Sequence, residues 1–424
     1  MQNLAPGHRA PPEPPEGSAT PQLPMSFTEF VALMALLMAL TALSIDIMLP
    51  ALPRIGEAFS LQFANDRQLV VTGYLAGFAG GQLIAGFLSD RFGRKRVLLA
   101  GLALFVTGTL GAVLAASFPL LLLARFAQGF GAAAPRVISI AIVRDLFSGW
   151  RMARVMSLVM MIFIVVPVFA PAIGQALLQI GQWTWSFYVL LGAGLISMLW
   201  AGLRLPETHA APSPRTRVTL AGTLRAISSS RQTIGYTVAV GFLFGCLLAY
   251  VTSAQQVFVE VYRLGPNFPL VFGAVAGVMA VASFANAQLV QHLGMRRVSH
   301  AALAAFCAAS LMLAVAAFFE PPLLLFCTLL AVTFFMFGLI VPNFNTIAMQ
   351  PLGAIAGSAS SFIGFYTTAA GAFLGWIIGW SFDGTVRPLS VGFAIMGVLA
   401  FATVAITERG AGTVWPRVTP DGSP

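Results

Sequence analysis

The sequence predicts an all-α membrane protein, with twelve transmembrane helices arranged in two pseudo-symmetric six-helix bundles. Of the 424 residues, 58% are hydrophobic and only 9% are charged, whereas soluble domains carry about 25% charged residues. The apolar residues form long continuous segments close to the ~20 residues that a spanning helix needs. Together these two observations predict the helices, and a weak internal repeat predicts the two bundles.

Continuous apolar segments indicate helices, because barrel strands would alternate in hydropathy over about 10 residues. We label the predicted helices α1 to α12 in chain order. They lie near residues 28–50, 69–89, 97–116, 119–143, 155–178, 184–204, 233–256, 269–291, 299–318, 323–347, 357–380 and 388–406.

The remaining segments complete the predicted organisation. Residues 1–25 are rich in proline and lack an apolar core, which predicts a disordered cytoplasmic tail and not a secretory signal. The two bundles would cover 26–206 and 233–406, with a cytoplasmic linker over 207–232 and a cytoplasmic tail over 407–424.

The distribution of basic residues predicts the orientation. With the N-terminus inside, most of the 23 Lys and Arg residues fall in cytoplasmic segments. The outer loops then hold only Arg54, Arg67, Arg263 and Arg387. This bias follows the positive-inside rule and places both termini in the cytoplasm.

An internal repeat supports two related halves. Segment 93–97 (GRKRV) has a counterpart at 294–298 (GMRRV), and the same offset places Gly174 of α5 on Gly375 of α11. Duplicated halves are common in transporters.

Asp46 in α1 is the first candidate functional residue. It is the one acid predicted to lie inside a helix away from its ends, and a charge at that depth costs about 2.5–3.5 kcal/mol. A carboxyl group in a low-dielectric cavity could bind and release protons near neutral pH. The alternative is a structural acid near the helix end, since Pro50 is close.

Two arginines are predicted inside α4. Arg125 needs an acid, carbonyl groups or water as partners, and Asp46 is a candidate at similar depth. Alternatively, Arg125 extends to the outer interface. Arg136 follows about three helical turns later, beyond Pro135. It is either a second base on the cavity wall or a partner for groups at the inner helix end.

Uncharged polar side chains in the apolar segments are candidates for the wall of a substrate cavity, or alternatively for hydrogen bonds between helices. They are Gln82, Gln175, Gln255, Gln256, Asn343, Asn345 and Tyr366. Helix α5 also contains Pro167, Pro171 and Gly174, which predict a hinge or a close contact with a neighbouring helix. Glycines at four-residue spacing in α11 (Gly371, Gly375, Gly379) predict a close-packing face.

Several other functions are excluded. The three cysteines form no CxxC pair, so we expect neither a disulfide nor a zinc site. No helix centre carries a histidine for a proton relay. The net charge of +9 is scattered and forms no basic stripe for nucleic acid. A Walker loop and the common hydrolase motifs are missing from the sequence, so we expect no enzyme activity, cofactor or metal.

Several motifs resemble those of the major facilitator superfamily, over essentially residues 28–406. Segment 86–96 (GFLSDRFGRKR) resembles the loop between helices 2 and 3, and 122–129 (LLARFAQG) resembles the helix 4 motif. Segment 170–174 (APAIG) resembles the helix 5 antiporter motif, although alanine replaces its usual glycine. Segment 205–208 (LPET) resembles the motif that closes helix 6.

Three further features resemble the Bcr/CflA subfamily of bacterial drug:proton antiporters. They are Asp46 with 50–53 (PALP), Arg144 with Asp145, and 357–360 (GSAS). By this resemblance the protein lies in the bacterial inner membrane, and Asp46 and Arg125 are its proton-coupling residues.

The resemblance also implies a cytoplasmic gate, formed by Gly86, Asp90, Arg91, Gly93, Arg94 and Asp145. Arg94 would pair with Asp145, and Asp90 would approach the start of α11 near Gly357 and Ser358. Gln291 stands where the repeat would place a second Asp90, so the gate is expected to be asymmetric.

The implied function is multidrug efflux by a monomeric, proton-coupled antiporter with alternating access. Asp46 would take up a proton from outside and release it inside, under the influence of Arg125. One acid facing two bases favours neutral, zwitterionic or weakly anionic substrates over multivalent cations. A metabolite carrier for a sugar, nucleoside or amino acid is the alternative, and a membrane-embedded sensor is a third possibility.

Overall fold

The fold is known from a computed structural model that describes residues 24–147, 149–208 and 220–409. Within these ranges the chain is almost entirely helical, and twelve helices are long and apolar enough to cross a membrane. The predicted fold class is therefore confirmed. The predicted tail at 1–25 lies almost wholly outside the described residues, as do 209–219 of the linker.

Each predicted segment corresponds to one helix. The first half contains α1 (Phe27–Asp46), α2 (Leu69–Phe92), α3 (Arg94–Val113), α4 (Phe118–Leu146), α5 (Gly149–Ile180) and α6 (Trp185–Arg204). The second half contains α7 (Arg231–Gln255), α8 (Phe268–Leu293), α9 (Met295–Ala317), α10 (Leu323–Met349), α11 (Ala356–Trp380) and α12 (Arg387–Arg409). A short helix over Leu220–Ser229, here called the linker helix, lies between the halves in sequence.

Two helix ends differ from the prediction. α1 ends at Asp46, and the chain continues as a 3₁₀ turn (Leu49–Ala51) and a short helix (Leu52–Ala58). Pro50 causes this change because it has no N–H to continue the helical hydrogen bonds. α12 extends to Arg409, so the start of the predicted tail belongs to the helix.

The twelve helices define two faces of the molecule. The Gly93 face carries the turn at Gly93, the start of α1 and the end of α12. The Glu260 face carries Glu260, at the end of a π-helix (Gln256–Val261) that continues α7. The π-helix shifts the side chains that follow it relative to the rest of α7.

Glycines allow the helices of each half to pack closely. A Cβ at Gly77 of α2 would lie 2.0 Å from the Phe126 carbonyl oxygen of α4. In the second half, Gly371 and Gly375 of α11 face the backbone of α7 in the same way. The close-packing face predicted for α11 is present, and it fixes α11 against α7.

The two halves repeat one turn conformation. Gly93 between α2 and α3 has φ of 96°, and Gly294 between α8 and α9 has φ of 80°. Residues that carry a Cβ atom rarely adopt a positive φ, so glycine is favoured at both positions. The equivalent turns agree with the internal repeat in the sequence.

Candidate functional site

A cavity of about 650 Å³ lies between the two halves. Its walls come from α1, α2, α3, α4 and α5 on one side, and from α7, α8, α10 and α11 on the other. It extends from Asp46 to Asp90 and Arg144 on the Gly93 face. Cavities of this volume accommodate drug-sized molecules.

Asp46 lies at the deep end of this cavity. It is the last residue of α1, and only 5% of its surface is exposed. In the part of the chain that the structure describes, its carboxyl group has no hydrogen bond or ion pair. The sequence-based placement of an acid in a buried cavity therefore agrees with the structure, in which Asp46 is part of the cavity wall.

Arg125 is fully buried inside the first half. Its guanidinium donates to the carbonyl oxygens of Val70 at 3.0 Å and Ser44 at 3.1 Å, and to Gln128 Oε1 at 2.6 Å. It also lies 4.6 Å from the ring centroid of Tyr74. The expected partnership with Asp46 is not formed, because carbonyl groups and an amide occupy the guanidinium donors.

Arg136 lies on the cavity wall, half-buried, as one of the two interpretations predicted. Its Nη1 atom lies 3.7 Å from Met38 Sδ of α1. Arg144 lies further along α4, where the cavity meets the Gly93 face. The two arginines therefore occupy different depths of the same wall.

The uncharged polar candidates divide into two groups. Asn345 and Gln82 line the cavity, and Gln82 Nε2 donates to Thr368 Oγ1 across the halves at 3.0 Å. The structure differs from the prediction for the other five, which are absent from the cavity lining: Gln175, Gln255, Gln256, Asn343 and Tyr366.

Specific contacts explain several of these differences. Asn343 Nδ2 donates to Asn286 Oδ1 at 2.8 Å, which joins α10 to α8. The ring of Tyr366 packs against Gly241 of α7. Gln256 lies on the Glu260 face, where its Oε1 accepts a hydrogen bond from Gln68 Nε2. These residues follow the alternative interpretation, in which they hold helices together.

A polar cluster closes the Glu260 face between the halves. Arg67 forms an ion pair with Glu260, and Gln68 Nε2 donates to Gln256 Oε1 and, at 2.9 Å, to the Gly379 carbonyl oxygen. Asn65 Nδ2 donates to the Trp380 carbonyl oxygen at 2.9 Å. Sequence reasoning missed this closure, although it placed Arg67 in an outer loop.

The predicted gate residues surround the Gly93 turn. Arg94 Nε donates to Asp145 Oδ2 at 2.9 Å, as the resemblance implied. Arg94 Nη1 donates to Asp90 Oδ1 at 2.5 Å. The Asp90 side chain is 56% exposed and is held by Arg94 instead of the start of α11. Thr223 Oγ1 of the linker helix donates to Ser358 Oγ at 3.1 Å, and the surroundings of Gly357 lie outside what the structure describes.

Glu207 completes the gate cluster in a way that the sequence did not reveal. Its carboxylate accepts from the backbone N–H groups of Arg94 at 2.8 Å and Lys95 at 3.2 Å. These N–H groups have no partner inside α3, so Glu207 caps that helix. A Cβ at Gly93 would lie 2.5 Å from Glu207 Oε2, which also requires glycine. Arg91 is exposed and lies 5.3 Å from the Phe92 ring.

Gly86 and the α5 motif provide further close contacts. A Cβ at Gly86 would lie 2.5 Å from Ser361 Oγ of α11. A Cβ at Gly174 would lie 2.2 Å from the Ile47 carbonyl oxygen, next to Asp46. Pro167 lines the cavity, and Pro171 is buried. The close contact predicted for α5 is therefore formed, and its partner is the end of α1.

A second polar cluster in the second half was also missed. The Tyr236 hydroxyl donates to Glu408 Oε1 at 2.7 Å and lies 2.8 Å from His300 Nε2. Arg296 Nη1 donates to Glu408 Oε2 at 3.1 Å. The offset of the internal repeat places Glu408 on Glu207, so one carboxylate position stabilises the Gly93 face in both halves.

Comparison with known proteins identifies the family. Residues 34–379 match the sequence profile of the "Major Facilitator Superfamily". The chain belongs to this superfamily. Members are membrane transporters, which agrees with the twelve helices and the central cavity.

Individual relatives agree with this assignment. The chain is 32% identical to "Uncharacterized MFS-type transporter YdgK" of Bacillus subtilis, over 87% of this chain and 93% of that protein. It is 30% identical to "Bicyclomycin resistance protein homolog" of Haemophilus influenzae, over 82% and 88% respectively. The fold resembles that of a D-xylose-proton symporter, with a TM-score of 0.74 at 16% identity, over 88% of this chain and 96% of the symporter.

Proposed function

We propose that this major facilitator exports drugs and other small toxic molecules from the bacterial cytoplasm in exchange for protons. The observation that carries the proposal is the position of Asp46, a buried acid at the deep end of the central cavity that has no partner among the residues the structure describes. A relative named for bicyclomycin resistance supports a drug as the substrate. Enzyme activity is not part of the proposal.

The orientation follows from charge. The Gly93 face carries Arg91, Lys95, Arg96 and further basic residues, so we assign it to the cytoplasm of the inner membrane. The cavity reaches this face, and the polar cluster around Arg67 and Glu260 closes the opposite one. The structure then corresponds to a cytoplasm-facing state, and both termini are cytoplasmic.

The proposed cycle uses Asp46 as the site of exchange. A proton enters from outside when the cavity is open towards the Glu260 face. In the cytoplasm-facing state either the substrate or a proton occupies the cavity, so substrate and proton compete. One proton moving down 100 mV supplies about 2.3 kcal/mol, enough for roughly fiftyfold accumulation. Since one chain encloses the whole cavity, we propose that a monomer performs the cycle.

Proton release tests the proposal directly. Purified protein in weakly buffered detergent solution is mixed with a panel of antibiotics, and a pH-sensitive dye reports released protons. We expect release from the wild-type chain and none from Asp46→Asn, which should still bind some compound. Asp66→Asn, which removes an acid from the Glu260 face, is the matched control and should release protons normally.

Three outcomes would contradict the proposal. Unchanged release from Asp46→Asn would exclude Asp46 as the exchange site. If only sugars, nucleosides or amino acids cause release, the chain is a metabolite carrier. Proteoliposomes that show no substrate-dependent proton flux for any compound would instead favour a sensor.

A further inference from the structure

The end of α1 lies against the second half of the molecule. The 3₁₀ turn (Leu49–Ala51) that follows Asp46 packs on α7. Asp46 and Tyr250 of α7 both line the cavity, and their exposed fractions are 5% and 3%. The two side chains are close enough to interact electrostatically. The structure therefore brings an acid of the first half near a phenol of the second half.

The aromatic ring of Tyr250 is fixed within the second half. It stacks on Phe272 of α8, with ring centroids 5.2 Å apart and an angle of 6° between the planes. It also meets the ring of Phe334 of α10 edge to face, with centroids 4.9 Å apart. Because side chains of two neighbouring helices hold this ring on α7, its hydroxyl moves with the second half as a unit.

The hydroxyl of Tyr250 has capacity for a stronger hydrogen bond. Its Oη atom lies 3.5 Å from the carbonyl oxygen of Phe272, whereas hydroxyl donors normally lie about 2.7–2.8 Å from an acceptor oxygen. This hydroxyl makes no other hydrogen bond within the described residues. An ionised Asp46 would be the better acceptor, because hydrogen bonds with one ionised partner are roughly twice as strong as neutral ones.

The other ionisable groups near this pair come mainly from the first half. They are Tyr74 of α2, Arg125 and Arg136 of α4 and Cys327 of α10, with Asp90, Arg94 and Arg144 at the cytoplasmic end of the cavity. Tyr74 also interacts with Asp46, and its hydroxyl lies beside Thr41 and Ser44 of α1. α5 and α8 contribute no titratable residue to the described cavity lining. Of the two tyrosines that interact with Asp46, Tyr250 therefore provides the link to the second half.

We propose that Tyr250 is the partner of Asp46 in proton exchange: its hydroxyl donates a hydrogen bond to the ionised carboxylate and releases it when Asp46 binds a proton. Tyr250 keeps its own proton throughout, so the carboxyl group alone gains or loses one. This inference rests on the proposed function, because it names a second residue of the same proton site.

This bond links the charge of Asp46 to the arrangement of the two halves. In the ionised form, a bond from α7 to the end of α1 joins the halves beside the cavity. Protonation removes the charge that strengthens the bond, and the hydroxyl returns to the Phe272 carbonyl oxygen, where it lies in this structure. Proton binding therefore removes one constraint on the relative movement of the halves.

Infrared spectroscopy of the full-length protein in lipid films tests this bond without any substrate. The C=O stretching band of protonated Asp46 is identified by its loss in Asp46→Asn, and its intensity is followed against pH. Tyr250→Phe keeps the ring and removes only the hydroxyl. Because the hydroxyl stabilises the ionised carboxylate, we expect this variant to move the midpoint of the titration up by about one pH unit, a tenfold change in proton affinity.

Two further variants complete the test. Tyr366→Phe removes a hydroxyl from α11 of the same half, outside the described cavity lining, and should titrate like the wild type. A ring-fluorinated tyrosine in place of Tyr250 keeps the hydroxyl and makes it a stronger donor, so the midpoint should move down. The fluorinated protein also remains decisive if Tyr250→Phe fails to fold. Opposite shifts in the two Tyr250 variants distinguish hydrogen bonding from a loss of packing.

The outcomes separate this inference from the proposed function. A wild-type midpoint in Tyr250→Phe, or an equal upward shift in Tyr366→Phe, would overturn the inference, while drug-driven proton release could still support export. A midpoint that does not fall in the fluorinated protein would contradict donation by the hydroxyl. The expected shifts in a protein that releases no protons with any drug would support the bond between Tyr250 and Asp46 and contradict proton exchange.

Discussion

Arg125 Nη2 donates a hydrogen bond of 3.1 Å to the carbonyl oxygen of Ser44, two residues before Asp46. Its Nε atom bonds the carbonyl oxygen of Val70, so one guanidinium joins α4 to both α1 and α2. We infer from these bonds that Arg125 positions Asp46. It fixes the backbone from which the carboxyl group extends and forms no ion pair with it.

Replacing Arg125 by lysine tests this role. Arg125→Lys keeps a cation but loses the planar group that bonds three acceptors. Each buried acceptor left unpaired costs about 1–3 kcal/mol. We expect a melting temperature lower by several degrees and weaker proton release, measured by tryptophan fluorescence and a pH dye. Arg263→Lys in an exposed loop is the control, and wild-type values for Arg125→Lys would contradict the positioning role.

The pair between Arg94 and Asp145 should contribute more than a surface pair. Arg94 is buried, with its side chain 5% exposed, and a double-mutant cycle of Arg94→Gln and Asp145→Asn should give a coupling of about 1–3 kcal/mol. The cycle is measured as non-additive changes of thermal stability in detergent.

The pair between Arg204 and Glu29 provides the comparison. Its side chains are 45% and 24% exposed, and solvent-exposed pairs contribute about 0–1 kcal/mol. Equal coupling in the two cycles would show that burial of Arg94 adds nothing to its interaction with Asp145.

Gly174→Ala should disrupt the contact between α5 and the end of α1. Its Cβ would lie 2.2 Å from the Ile47 carbonyl oxygen, so the helices must separate beside Asp46. We expect reduced stability and loss of proton release. Gly277→Ala is the matched control, because no atom lies within 4 Å of its added Cβ. That variant should be neutral or stabilised, since alanine favours helix by about 1 kcal/mol.

The twelve helices could be predicted because spanning segments are encoded by length and hydropathy alone. Asp46 could be identified as a candidate functional residue for a related reason. An acid within an apolar segment is energetically costly, so its presence indicates a function. The contact between Arg94 and Asp145 came from the family resemblance and not from the residues themselves.

Other contacts left no signal in the sequence. The partners of Arg125 are backbone carbonyl groups, which every residue carries. Gln256 was predicted to face the cavity, but it lies in the π-helix that follows α7 and bonds Gln68 of the other half. Hydropathy cannot distinguish a polar residue that faces a cavity from one that faces a neighbouring helix.

The ion pair between Arg67 and Glu260 should control which face of the cavity is open. It joins the two halves on the Glu260 face, together with the hydrogen bond between Gln68 and Gln256. Glu260→Gln weakens the closed arrangement without changing the cavity lining. Because the states with the Glu260 face closed and open are in equilibrium, this variant should increase the population in which that face is open.

Distances between spin labels can measure this shift. Labels at Phe63 and Phe319 in a cysteine-free background report the separation of the halves, because both side chains are exposed on the Glu260 face. We expect Glu260→Gln to increase the population at longer distances by severalfold. Glu57→Gln removes an exposed acid from the same face and should leave the distribution unchanged. An identical change in both variants would show that net charge, and not the pair with Arg67, holds this face closed.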